Sequence, residues 1–301
     1  MKTTFEQIID LSAVGKLNTK SLNEVLTFAR KENLRNSSED EKRVLLLGID
    51  IQNDFMEGGA LGVPGSIKDV QNLLHFTYEN IEKITDIIVS LDTHQPMQIF
   101  HPSWWVNELG ENPSPLTIIS YEDVKQGKWK PVTNIEESLD YVMNLEKIGK
   151  KQLCIWPYHC IEGTFGCSLE SQFSNLVYFH SVARSTNPSI VVKGLSSNTE
   201  MYGIFKPEYS SDSIRNDELL KKISEYDQII IAGEAKSHCV LESLLQLIEY
   251  FEEEKLDASK IVILEDCMSS IPGFEESTEE TFRSLQQKFG IQLVNSTEYK
   301  I

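Results

Sequence analysis

Three residues whose side chains could together form an activated nucleophile stand at the ends of apolar segments. Asp50 ends the run VLLLGID, Lys193 lies in SIVVKG, and Cys239 follows QIIIAGEAKSH. A free thiol has a pKa of about 8.5 and is mostly protonated at neutral pH. A base that takes the proton and a cation that holds the thiolate would activate it, and Asp50 and Lys193 can supply these roles. The helix expected after Cys239 would favour the thiolate through its dipole, and its free N–H groups would bind an oxyanion.

Each of these residues also has a plainer interpretation. A free cysteine is most often a small buried apolar residue, so Cys239 by itself indicates little. Asp50 could cap a strand end, and Lys193 could be a solvated charge. The occurrence of all three at strand ends favours the catalytic interpretation.

A second group of residues has the chemistry of a metal site. Asp92 and His94 form a D-x-H triplet, which places both side chains on one face of an extended segment. His101 and His159 follow later in the chain. One carboxylate with imidazoles suits zinc, manganese or iron. The triplet alone is common by chance, and the two later histidines could instead be hydrogen-bonded loop or surface residues.

The elements that must position these residues alternate between strand and helix. Helical patterns cover 67–83, 238–254 and 275–289, and strand-like apolar runs lie before, between and after them. This alternation predicts an α/β fold with an open, mostly parallel six-stranded sheet flanked by helices. Ligands of such sheets bind outside the carboxyl ends of the strands, where the candidate residues lie. The six predicted strands are 44–50, 86–92, 189–194, 228–234, 260–266 and 291–294.

Two segments stand apart from this alternation. Residues 1–43 are predicted to form an N-terminal helical extension, with a capping box at Ser21 and Glu24 and a polar linker at 36–43. The main domain would then span 44–301, with an insertion at about 103–151. That insertion carries a helix around 136–145 and its own apolar centre, to which we assign Trp104, Trp105 and Trp129.

Composition excludes several classes of protein. The 301 residues carry a net charge of −18, are 40% hydrophobic and 25% charged, and resemble an ordinary globular chain. This acidity offers no basic surface for nucleic acid or an anionic membrane. No apolar run approaches the roughly 20 residues of a membrane span, and the charged start MKTTFEQIID lacks a signal-peptide core. The five cysteines form no CxxC pair, so we expect a reduced cytoplasmic protein.

Five motifs in order resemble those of the isochorismatase-like cysteine hydrolases and, within them, the nicotinamidases. They occur in the family's order within residues 44–294, and the resemblance leaves out residues 1–43 and most of 103–151. The motifs are LLLGIDIQNDFMEGGALGVPGS (45–66), SLDTHQP (90–96), IWPYHCIEGTFG (155–166), VVKG (191–194) and IIAGEAKSHCVLES (230–243).

The resemblance implies a role for each matched residue. Asp50 would be the base, Lys193 the cation and Cys239 the nucleophile. The backbone N–H groups of Ala235 and Cys239 would form the oxyanion hole, after a cis peptide bond at Glu234–Ala235. The residues matched to metal ligands are Asp92, His94 and His159. His101 corresponds to a further ligand, although it follows His94 at a spacing one residue longer than in the family. The aromatic residues around the substrate ring would be Phe55 and Trp156.

By this resemblance the protein would be a metal-dependent amidohydrolase that converts nicotinamide, or a related small amide, to an acid and ammonia through a thioester. Zinc is the expected metal, with manganese or iron as alternatives, and the chain would form a homo-oligomer. A metal-free relative acting on ureido or carbamoyl groups is one alternative, but it would lack the Asp92, His94 and His159 set. A non-catalytic binding protein is another, and the retained Asp50, Lys193 and Cys239 argue against it.

Overall fold

A six-stranded parallel sheet forms the centre of the computed structural model, which describes residues 1–149, 151–212 and 214–301. The strands are β1 (Val44–Ile49), β2 (Asp86–Asp92), β7 (Ser189–Lys193), β8 (Gln228–Gly233), β9 (Ile261–Leu264) and β10 (Gln292–Val294). Their order in the sheet is β10-β9-β8-β1-β2-β7, and every neighbouring pair is parallel. The predicted fold class is therefore confirmed, and each predicted strand is present within three residues at either end.

Helices cover both faces of this sheet because its strands are apolar on both sides. The helices on these two faces are α3 (Ser66–Glu79), α6 (Ser171–Ala183), α7 (Asp217–Ser224), α8 (Leu241–Glu253) and α9 (Glu275–Phe289). On one face, Leu46 and Val89 pack under α3 and α6; on the other, Leu47 and Ile231 pack under α7, α8 and α9. None of the helices in the described ranges has both the length and the hydrophobicity needed to cross a bilayer.

The N-terminal segment packs onto α6 through two helices, α1 (Phe5–Ile8) and α2 (Leu22–Ala29). The predicted capping box is wrong: Ser21 precedes α2, but its side chain makes no capping bond, and the Glu24 N–H bonds to the Ser21 carbonyl instead. The polar run 36–43 is also fixed in place, since the buried Arg184 guanidinium donates to Asp40. The division of the chain into an extension and a main domain stays a prediction.

The insertion is a small subdomain with its own apolar core. Trp104 and Trp105 are buried in it and Trp129 packs against it, as predicted. This core extends to Trp156, beside the carboxyl ends of the central strands. The insertion contains α4 (Tyr121–Lys125), α5 (Ile135–Asn144) and two antiparallel pairs, β3 (Trp105–Val106) with β5 (Lys130–Pro131) and β4 (Ile118–Ile119) with β6 (Leu153–Cys154).

Candidate active site

The sheet brings Asp50, Lys193 and Cys239 together at its carboxyl edge. The Lys193 Nζ atom lies 3.0 Å from Asp50 Oδ2, 2.9 Å from Asp92 Oδ1 and 3.7 Å from Cys239 Sγ. The strand register explains this, because Asp92 on β2 is directly opposite Lys193 on β7. All four residues are buried, with at most 6% of each residue exposed. One ammonium group therefore contacts both carboxylates and the thiol.

Burial and charge set the protonation of this group. Burial alone would lower the pKa of Lys193, but Asp50 and Asp92 raise it well above its usual value, so the ammonium stays charged. Burial raises the pKa of Asp50 against the opposing charge of Lys193, which suits a group that must accept and release a proton. Burial also raises the pKa of the Cys239 thiol, although Lys193 opposes it. The sequence suggested a stabilised thiolate; in the structure the dry surroundings keep the thiol protonated until a base removes its proton.

Two polar side chains hold Asp50 and Asp92 in position. The sequence interpretation did not single out either of them. The Ser90 hydroxyl donates to Asp50 Oδ1 at 2.6 Å and accepts from the Asp50 N–H at 3.0 Å. The Gln52 amide bonds to both the N–H and the carbonyl of Asp92, each at 2.7 Å. Asp50 and Gln52 lie just past the end of β1, where no backbone bonds join the two strands. The side chains of Ser90 and Gln52 bond to backbone groups there instead, and so extend the pairing of β1 with β2. Ser90 could have been noticed as a polar residue inside an apolar strand.

The turn before α8 presents Cys239 and the expected oxyanion hole. Residues Lys236–Val240 form one π-helical turn that leads into α8. The peptide bond Glu234–Ala235 is cis, as the resemblance implies. Within the described residues the Ala235 N–H has no hydrogen-bond acceptor, whereas its carbonyl accepts from the N–H groups of His238 and Val240. The Ala235 N–H is therefore free to bind a substrate oxygen.

Asp92, His94 and His159 form a set that could hold a metal ion. One ligand atom from each lies within 4.8 Å of the others. His94 Nδ1 bonds to the Gly194 carbonyl at 3.2 Å and His159 Nδ1 to the Pro157 carbonyl at 2.8 Å, which directs both Nε2 atoms inward. A Cβ at Gly194, which has φ +79°, would lie 2.6 Å from His94 Cε1, so a glycine is needed beside this ring.

His101 lies beside these ligands despite its longer spacing. Its ring centroid is 5.9 Å from that of His94 and 6.1 Å from that of His159. Its Nδ1 bonds to the Gln95 carbonyl at 3.1 Å, and its buried Nε2 has no partner among the described residues. Burial, together with His159 and His94, lowers its pKa to about 3, so the ring is neutral. A buried, neutral imidazole with an unused nitrogen fits a fourth metal ligand.

An aromatic cavity lies between the candidate metal ligands Asp92, His94 and His159 and the thiol of Cys239. Phe55 and Trp156 both line it, as the resemblance implies, and so does Tyr202, which the sequence interpretation did not single out. The Trp156 Nε1 donates to Glu200 at 3.0 Å and the Tyr202 hydroxyl donates to it at 2.6 Å. Tyr141 of the insertion adds a third bond to Glu200, at 3.3 Å. Burial raises the pKa of Glu200 to about 7.

Known proteins with a similar sequence or a similar fold include nicotinamidases. No protein-family model matches the chain. The nicotinamidase of Saccharomyces cerevisiae is 22% identical over 205 residues, which are 68% of this chain and 81% of that protein.

Two solved structures have a similar fold. A nicotinamidase/pyrazinamidase from Acinetobacter baumannii superposes with a TM-score of 0.58 at 19% identity, covering 86% of this chain and 99% of that one. A pyrazinamidase from Pyrococcus horikoshii, solved in complex with zinc, has a TM-score of 0.50 at 20% identity over 84% of this chain and 99% of that one. The fold is that of the isochorismatase-like hydrolases, and the predicted resemblance to this family and its nicotinamidases is confirmed.

Proposed function

We propose that the protein is a metal-dependent cysteine amidohydrolase that converts nicotinamide, or a related small aromatic amide, to the acid and ammonia. The observation that carries the proposal is the contact of one buried ammonium, Lys193, with Asp50, Asp92 and Cys239 at once. This contact links the candidate nucleophile, its base and the metal-binding carboxylate within one dry cluster.

The reaction begins with proton transfer from the Cys239 thiol to Asp50. The thiolate, held by the Lys193 ammonium, attacks the amide carbonyl carbon and forms a C–S bond, while the carbonyl oxygen becomes an oxyanion at the N–H groups of Ala235 and Cys239. Asp50 then gives its proton to the departing nitrogen, the C–N bond breaks, and ammonia leaves a thioester.

Water completes the cycle. Asp50 takes a proton from the attacking water, whose oxygen forms a C–O bond to the thioester carbon. The C–S bond then breaks, Asp50 returns the proton to the Cys239 sulfur, and the acid leaves. The raised pKa of Asp50 fits this alternation between base and acid, since each transfer must be nearly balanced in energy.

Asp92, His94 and His159 would hold a divalent cation, with His101 as a further ligand, and zinc is the first candidate. When bound, the cation would supply a Lewis-acid contact for a substrate ring nitrogen or for water. Phe55, Trp156 and Tyr202 would hold the substrate ring beside it.

Ammonia release from nicotinamide by the purified protein tests this proposal. We expect release by the zinc-loaded protein, and its loss after chelation and in Cys239→Ala. Cys154→Ala is the matched control, since Cys154 is a half-buried thiol outside the cluster and should retain activity. Release by Cys239→Ala at the wild-type rate would contradict the assignment of the nucleophile. Release that survives complete metal removal would contradict the metal dependence while leaving the amide hydrolysis itself in place.

A further inference from the structure

A pair of buried carboxyl groups lies behind the turn that carries Ala235. Glu234 is 1% exposed at the end of β8, and Asp69 is 7% exposed on α3. Glu234 Oε1 and Asp69 Oδ2 are both shielded from solvent, and neither has a hydrogen-bond donor among the described residues. Both side chains border Ser269: its N–H donates to Glu234 Oε2 at 3.3 Å, and a Cβ at Gly65 would lie 2.6 Å from Ser269 Oγ and 3.7 Å from Asp69 Oδ2. Each carboxyl group is thereby a hydrogen-bond partner for the other. Because two ionised carboxylates repel strongly in a dry site, this arrangement is satisfied when one proton is shared between them.

Glu234 also ties its turn to the segment after β9. Its Oε2 accepts from the Ser269 N–H at 3.3 Å, and the Ser269 carbonyl accepts from the Lys236 N–H at 2.8 Å. The Glu234 N–H donates to the Ile49 carbonyl at 2.9 Å. The residues on both sides of Ala235 are therefore fixed, while the Ala235 N–H itself stays free.

The surrounding charges do not neutralise the pair. The titratable groups beside Asp69 carry no positive charge: the carboxylates of Asp266 and Glu57 raise its pKa, and the Cys267 thiol is neutral. The nearby cation, Lys236, contacts Glu279 and lies 3.8 Å from Glu265. Burial raises the pKa of Glu234 well above its ordinary value of 4.5, and Asp69 raises it further.

We propose that Glu234 is a positioning residue that acts as a neutral carboxylic acid: it donates its proton to Asp69 and so holds the Ala235 N–H in place for the substrate oxygen. The oxyanion role of Ala235 rests on the proposed function, whereas the shared proton rests on the geometry of the pair alone. Loss of the proton would place two negative charges behind the turn and loosen it.

Glu234→Gln is the sharpest test. A glutamine side chain has the same shape, can donate an N–H to Asp69 and accept from the Ser269 N–H, and cannot lose a proton in this range. A folded-state pKa above the unfolded value means that the folded protein binds the extra proton, so its stability falls as pH rises from about 4.5 to the raised pKa. Within that window we expect the Tm of the wild type to fall relative to Glu234→Gln by about 2–3 °C per pH unit.

Hydrogen exchange and activity test the positioning role. We expect Glu234→Ala to lose amide protection in the peptide 233–240 at pH 7, and Glu234→Gln to retain it. We expect kcat for nicotinamide to fall about tenfold in Glu234→Ala with a smaller change in KM, and Glu234→Gln to rescue most of it. Glu265→Gln, which removes a more exposed acid beside Lys236, is the control and should leave the pH dependence of the Tm unchanged.

Equal dependence of the Tm on pH in the wild type and Glu234→Gln would overturn the shared proton. Unchanged exchange in Glu234→Ala would overturn the positioning role. Both of these measurements need no substrate. If they succeed and nicotinamide is not hydrolysed, the proposed function fails while the carboxyl pair and its effect on the turn stand.

Discussion

Replacing Ser90 by alanine removes a hydroxyl group that donates a hydrogen bond to the candidate base, Asp50. The Ser90 hydroxyl donates to Asp50 Oδ1 at 2.6 Å, and both side chains are fully buried. The variant leaves the Lys193 ammonium and the Cys239 thiol in place. Any change in the ionisation of Asp50 should therefore come from the lost hydrogen bond.

The size of the effect follows from the difference between two hydrogen bonds. A bond to an ionised carboxylate contributes about 1.5–3 kcal/mol and a neutral one about 0.5–1.5 kcal/mol. The ionised form of Asp50 therefore loses about 1–1.5 kcal/mol more than the protonated form, which is about one pKa unit. Since the ionised form is the one destabilised, the pKa of Asp50 rises further. A larger fraction of the base is then protonated, and inactive, at acidic pH.

The assay is the pH dependence of kcat/KM for nicotinamide. We expect the acidic limb to move upward by about one pH unit in Ser90→Ala, with a smaller change on the plateau. Ser138→Ala is the matched control, because Ser138 is equally buried and hydrogen-bonded to Trp104 but lies in the insertion, away from Asp50. An acidic limb that stays in place in Ser90→Ala, or that moves equally in both variants, would refute the reasoning.

Three further changes test other parts of the structure. His101→Ala should weaken zinc binding about 10–100-fold in competition with a chelator, because a ligand nitrogen is lost; unchanged affinity would exclude His101 as a ligand. Tyr141→Phe should raise the KM for nicotinamide about fivefold with little change in kcat. Glu200 would lose about 1 kcal/mol of hydrogen bonding and would hold Trp156 and Tyr202 less firmly around the substrate. An equal loss in kcat would contradict this. Asp40→Ala should lower the free energy of unfolding in urea by about 3 kcal/mol, because it leaves the Arg184 guanidinium buried without its carboxylate partner. A negligible loss would mean that the 36–43 segment is only loosely attached.

The strands and the positions of the candidate catalytic residues could be predicted because their signals are local. Each central strand is a short run of apolar residues, and Asp50, Asp92 and Lys193 stand at the carboxyl ends of such runs. A parallel sheet places these ends along one edge, so the approximate site follows from the order of the elements. Distances such as the 3.0 Å between Lys193 and Asp50 depend on register, which the apolar pattern alone does not fix.

The rest of the site could not be predicted because it depends on contacts between distant segments. Trp156 itself was predicted from the resemblance, but its bond to Glu200 and that of Tyr141 join three separate stretches of chain, and no local pattern predicts them. The unused nitrogen of His101 likewise appears only once its ring is placed. The capping box predicted at Ser21 is absent for a local reason. The Glu24 N–H, which the Ser21 side chain was expected to bind, donates to the Ser21 backbone carbonyl instead. The cytoplasmic location and the self-association of the chain stay predictions.

The most direct test of the central claim is mass spectrometry of the intact protein quenched with acid during turnover of nicotinamide. The account predicts a pyridine-3-carbonyl group attached through a thioester to Cys239 in the wild-type protein. It predicts no adduct in Cys239→Ala and an unchanged adduct in Cys154→Ala. Ammonia release without any acyl-enzyme at Cys239, or an adduct on another cysteine, would contradict nucleophilic catalysis by the Asp50, Lys193 and Cys239 cluster.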